Sequence, residues 1–245
     1  MRPARLNLGV VLVAHGSRDP RAAVATSALA RAVGRAHPSW AVRAAYLDHA
    51  GPRPIEALES LPVRDAVVVP LLLTSAYHGR VDIPAVLASA GALPVSVSLA
   101  EVLGPSPVVA PRLVEALVRR LPAAELDAVV LAAAGTRDAA ARSTVEDAAN
   151  ALSARLRLPC TVAYASAAPP TAGEAVERLR AAGARRVGMA AYFLAPGLLY
   201  DNAARSARSA GAVAVAPPLG DAPDLVRLVA ARVEAAVRHP LAPAA

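Results

Sequence analysis

Gly9-Val-Val-Leu-Val-Ala-His-Gly-Ser-Arg-Asp-Pro20 joins a short apolar run to a His-Gly turn and then to a helix start. Residues 10–14 are too few and too β-branched for a helix, so they read as a buried strand. Gly16 allows the sharp turn, Asp19 can cap a helix, and Pro20 suits the first helical position. His15 is thereby placed where a strand ends and a loop begins. In open α/β sheets, ligands bind beside the carboxyl ends of strands, which makes His15 the first candidate functional residue.

Outward from this stretch the pattern alternates. A helix is expected over residues 20–36, ended by His37-Pro38, and a second strand over 41–47 delivers Asp48 and His49 into a loop. A short helix over 55–61 follows, then a continuous apolar run over 66–73, typical of a strand buried on both faces. That run ends at Thr74-Ser-Ala-Tyr-His-Gly-Arg-Val-Asp-Ile-Pro84, a loop leading into a helix that stops near Gly91. A strand over 95–99 and a helix over 107–120 complete a β-α-β-α-β-α-β-α order. Such an order argues for a parallel sheet covered on both faces.

The second half repeats the first at an offset of 118 to 120 residues. Residues 128–138 echo 10–19, residues 162–166 echo 43–48, and residues 187–193 echo 67–73. The expected fold is α/β, with two tandem domains, each a four-stranded parallel sheet flanked by helices. They are expected at residues 1–121, carrying the site, and 122–245, a degenerate repeat. In the copy Ala134 stands where His15 stands, Ser166 where Asp48 stands, and Leu198 near the place of His78. The histidines are therefore not needed to pack this topology, which points to a site in the first half.

Composition narrows the class. Aromatic residues make up 3% of the chain, so the cores rest on Leu, Val and Ala. The net charge of +7 suits an acidic ligand, but the arginines are scattered without interleaved aromatics, which argues against nucleic acid. All 26 basic residues are arginine, a pattern that reads as coding bias. Cys160 is the single cysteine, which excludes an intrachain disulfide and fits a reducing compartment. Arg2 and Arg5 before an apolar run imitate a signal peptide, but the run stops too soon, and no stretch reaches membrane-spanning length. A cytoplasmic protein with no membrane partner is expected.

In strand order 2-1-3-4 the first strand lies between the second and third, and His15, Asp48 and His78 meet at one crevice. Two imidazoles with a carboxylate suit divalent first-row metals such as iron, cobalt or nickel, and they also exchange protons near neutral pH. So few protein ligands leave positions open, as transfer chemistry needs.

The stretch around His15, together with Pro70-Leu-Leu-Leu and Tyr77-His78-Gly-Arg-Val-Asp-Ile-Pro84, resembles the sirohydrochlorin chelatases of the CbiX/SirB type. The second half resembles the degenerate repeat of their long, two-domain form. The resemblance implies insertion of a divalent metal into sirohydrochlorin, for siroheme or a cobalamin precursor. It implies that His15 and His78 bind the incoming metal and help take up the two pyrrole protons. An acidic residue at the end of strand two assists in related enzymes, and Asp48 matches it here. Glutamate is commoner at that place, and His49 beside it departs from the pattern. The metal is then a substrate, with no cofactor permanently bound. The substrate carries many carboxylates, for which Arg18 and Arg80 in the two site loops are the first candidates, followed by Arg53. Ser17 and Tyr77 are candidate substrate contacts.

Simpler roles compete at several positions. Ser17 can cap the helix, Asp48 and His49 can merely make a turn, and Tyr77 can pack. Asp19, Pro20, Asp82 and Pro84 read as helix-start residues, His37 as structural, and His239 as solvated. A histidine phosphatase would carry an arginine before the histidine, where this chain has Ala14. The remaining alternative is a metallochaperone or tetrapyrrole carrier that uses the same two histidines without turnover.

Overall fold

In the computed structural model the described residues are 6–74, 83–88, 93–104, 110–122 and 125–238. Strand β1 (Leu8–Ala14) leads into helix α1 (Pro20–Ala36), followed by β2 (Trp40–Tyr46), α2 (Pro54–Glu59), β3 (Asp65–Pro70), α3 (Ile83–Ala88), β4 (Ser96–Leu99) and α4 (Ala110–Arg119). The second half runs β5 (Ala128–Ala133), α5 (Ala139–Leu156), β6 (Cys160–Tyr164), α6 (Ala172–Ala181), β7 (Val187–Tyr192), α7 (Leu198–Ser209), β8 (Ala214–Val215) and α8 (Pro223–Arg238). Both sheets are four-stranded and parallel, in the orders β2-β1-β3-β4 and β6-β5-β7-β8. The expected fold class and strand order are what the chain adopts.

Helix α1 starts as the sequence suggests: Asp19 is the N-cap, its side chain accepts the Arg21 N–H, and Pro20 holds the first turn. Its buried residues Thr26, Leu29, Ala30 and Val33 fall on one face at helical spacing. Strand β3 is shorter than its apolar run: beyond Pro70 the ladder to β1 continues through Leu71, whose N–H donates to Val13 O at 2.8 Å, before the chain leaves the sheet. The first core gathers Val11, Val13, Val68, Leu58 and Ile83. The second is built largely of alanine, including Ala132, Ala163, Ala191 and Ala204, around Val130, Met189 and Phe193.

The compact units do not divide where the repeat does. One comprises residues 1–103 with 220–245, and the other residues 104–219. Helix α4 follows the first sheet in sequence but packs on α5 and β7 of the second unit. Helix α8 follows the second sheet but packs on β3, β4 and α1 of the first. Buried Arg232 of α8 pairs there with Glu101, just beyond β4. The boundary expected at 121 follows sequence periodicity. The units follow the apolar faces of two helices, which have exchanged places.

Several surface carboxylates titrate below their ordinary range. Asp127 is lowered first by the backbone N–H of Arg185, Asp19 by the side chain of Arg21, and Glu174 by the backbone N–H of Thr171. A folded pKa below the unfolded one adds stability above the unfolded value, and that stability is lost as pH falls through the folded value. The thermal midpoint is therefore expected to hold down to about pH 5 and to drop below about pH 4, where unperturbed carboxyls titrate. Circular dichroism melts across that range test this, and a midpoint unchanged through strong acid would contradict it.

Candidate functional site at the carboxyl edge of the first sheet

Two strand ends build the described part of the site. The ladder between β1 and β2 continues past both strands: Leu47 N–H donates to Ala14 O at 3.0 Å, and Asp48 N–H to His15 O at 2.8 Å. His15 and Asp48 are thus held side by side by the backbone, and both are exposed. The loops approach so closely that a Cβ on Gly16, at φ +98°, would lie 1.8 Å from Asp48 O. Only glycine allows that approach at that backbone angle.

Around Asp48 the charges are layered. Its Oδ1 accepts the backbone N–H of His49 at 2.8 Å, while Oδ2 lies 3.4 Å from His49 Nε2. Arg53 Nη2 is 3.8 Å from Oδ1, and Arg53 also donates to Leu47 O. The His49 backbone N–H, and then the charges of His49, Arg53 and His15, hold the Asp48 carboxyl below its ordinary range. It is a carboxylate at neutral pH, suited to balance an incoming dication and to hand any proton it takes to water. His49 adopts a left-handed backbone, φ 61°, which turns the loop back toward Ala50.

Ser17 Oγ accepts the Asp19 N–H at 3.1 Å, so this hydroxyl shapes the turn between His15 and α1. Arg18 is exposed in the same turn. His37 stacks on Trp40, ring centroids 4.0 Å apart, which gives it the structural role expected. Tyr77, His78 and Arg80 lie outside the described residues. Among the described residues no group of three His, Cys, Asp or Glu side chains could hold a metal.

The second unit reproduces the scaffold without the histidine and the carboxylate. Gly135, at φ +96°, would set a Cβ 1.9 Å from Ser166 O, and Ala167 repeats the left-handed turn of His49. Thr136 Oγ1 accepts the Asp138 N–H at 3.1 Å, as Ser17 does for Asp19. Where His15 and Asp48 stand, this unit has Ala134 and Ser166, and the Ser166 hydroxyl is spent on Ala134 O at 2.8 Å. Burial pushes the Cys160 thiol, at the start of β6, up to about 12.

A family model described as CbiX matches residues 9–122 and again 128–236. A sirohydrochlorin cobaltochelatase of Methanococcoides burtonii is 30% identical over 83 residues, which span 33% of this chain and 63% of that relative's length. SirB from Bacillus subtilis subspecies spizizenii, solved in complex with cobalt, superposes with a TM-score of 0.76 at 21% identity, covering 96% of this chain and 97% of that one. SirB from Bacillus subtilis with Fe3+ gives 0.75 at 23% identity, over 94% and 95% of the two chains. CbiX, described as the terminal enzyme for biosynthesis of siroheme in denitrifying bacteria, gives 0.64 at 22% identity, over 95% and 99%. Among the described residues no helix is long and apolar enough to cross a membrane.

Proposed function

This chain belongs to the CbiX family, and from that premise we propose that it inserts a divalent metal, cobalt or iron, into sirohydrochlorin. The observation that carries the reading is the pairing of His15 with Asp48 at adjacent strand ends, in the one copy of the fold that keeps them. Metal entry must strip water from the ion and two N–H protons from the macrocycle. An exposed, weakly held histidine ligand permits both delivery and release, and His78 is its partner in the proposal. Asp48, anionic at neutral pH, offsets the dication's charge and relays protons to bulk water. Arg18 and Arg80 orient the substrate's carboxylates, and Ser17 and Tyr77 are further substrate contacts. The metal is substrate, the protein works in the cytoplasm, and no further cofactor takes part.

Multiple-turnover insertion of cobalt(II) and iron(II) into sirohydrochlorin, followed by absorbance, tests this. The expected result is many product equivalents per chain for at least one metal. Tight binding of one equivalent with no turnover would replace the chelatase with a carrier.

A further inference from the structure

Helix α8 brings a charged pair from the far end of the chain to the unit that holds His15. Asp224, in the first turn of α8, is 4% exposed, and it forms an ion pair with Arg227, whose side chain is 55% exposed. A carboxylate so deeply placed is costly unless it holds a cation. Here it fixes a guanidinium that still has an open side toward water.

The direction of α8 sets where that guanidinium lies. Val237, near the end of the helix, lines a cavity of about 410 Å³ with Leu8, Asp65 and Ser96, the first residues of β1, β3 and β4. The helix therefore runs opposite to the strands. From Val237 back to Asp224 spans about 20 Å of helix at 1.5 Å per residue. From Leu8 to Ala14 also spans about 20 Å of strand at 3.3 Å per residue. Asp224 is thus level with the strand ends that carry His15 and Asp48, and Arg227 lies one turn, about 5 Å, below it, within the reach of an extended arginine side chain. Helix α8 packs on α1 and β3, and α1 also starts from the end of β1 that carries His15, through the turn that holds Arg18.

The internal repeat supplies a control. Ala-Pro-Arg-Leu-Val-Glu at 110–115 opens α4, and Ala-Pro-Asp-Leu-Val-Arg at 222–227 opens α8: the same apolar frame with its charges interchanged. In the second unit Glu115 is taken up by Arg155, at 2.5 Å. The second unit has a cation, Arg112, at the place of Asp224, but at the place of Arg227 it has an acid that is already paired, so a cation at that place is found in the unit that carries His15.

We propose that Arg227, fixed by Asp224, binds a carboxylate of the substrate at the rim of the His15 site. The inference rests on sirohydrochlorin being the substrate. A guanidinium held on one side by a buried carboxylate offers its other N–H groups as a fork, the geometry that suits a second carboxylate. Arg227 positions the substrate and takes no part in proton or metal transfer.

The test uses the full chain. Sirohydrochlorin affinity is measured by equilibrium dialysis without metal, and KM and kcat are measured with cobalt(II). Arg227→Ala is expected to raise both Kd and KM about tenfold, the effect of losing one charge-assisted contact, and to leave kcat near the parent value. Arg227→Lys should recover part of the loss, and Asp224→Asn should fall between, because the guanidinium is present but no longer fixed. Raising salt should narrow the gap between the parent and Arg227→Ala. A Kd for Arg227→Ala equal to the parent's, or a fall in kcat alone, would overturn the proposal. A parent that binds the macrocycle without turnover removes the chelatase reading, while the Kd comparison still decides the role of Arg227. A parent that does not bind sirohydrochlorin removes both.

Discussion

Replacing His15 with alanine is expected to lower kcat/KM for metal insertion by at least about 100-fold, with the fold intact. His15 is exposed and follows the last residue of β1, so its side chain contributes little to the core, while its backbone carbonyl still accepts the Asp48 N–H in the variant. The second unit already carries alanine at this place, in a strand and turn of the same geometry. The loss should therefore appear in turnover and in cobalt affinity but not in the thermal midpoint. A variant that inserts metal at the parent rate would remove His15 from the site altogether.

Gly16→Ala should damage both stability and activity. The new Cβ would meet Asp48 O at 1.8 Å and Asp48 C at 2.8 Å, both backbone atoms, at a φ of +98° that alanine adopts only under strain. Holding such a conformation costs about 1–3 kcal/mol, and relieving the clash must push the Asp48 loop away from His15. A displacement on the scale of an ångström is enough to cost about 100-fold in rate. Gly135→Ala sets the same clash against Ser166 O, at 1.9 Å. It should lower the denaturant midpoint by a similar amount while leaving turnover close to the parent's. Equal losses of activity in the two variants would mean that the chemistry is not confined to the first copy.

Much of the fold is legible in the sequence because its signals are local. The Asp19-Pro20 cap sets the start of α1, and the apolar runs at 10–14 and 66–73 mark β1 and β3. His15 could be placed at a strand end from the apolar run before it, the turn at Gly16 and the helix start at Asp19-Pro20. The pairing of Asp48 with His49 and Arg53 was only half legible: the residues stand in one loop, but their convergence depends on the left-handed turn at His49. The exchange of α4 and α8 was not legible. Periodicity says which helices correspond, and it is silent on which sheet each one covers. The interchanged charges at Arg112 and Glu115 against Asp224 and Arg227 were visible in the sequence, but they acquire meaning only once α8 is known to cover the first sheet.

The exchanged helices also constrain how the protein is made. The first sheet is translated before residue 104, yet the helix that covers β3 and packs on α1 emerges only with residues 223–238. At the pace of a ribosome this leaves that apolar face bare for on the order of ten seconds. A nascent chain in this state is a natural client for chaperones. The second unit, continuous from 104 to 219, can close as it emerges, whereas the first waits on a segment separated from it by the whole of the second. The duplication has become irreversible: deleting either copy would strip the survivor of its cover.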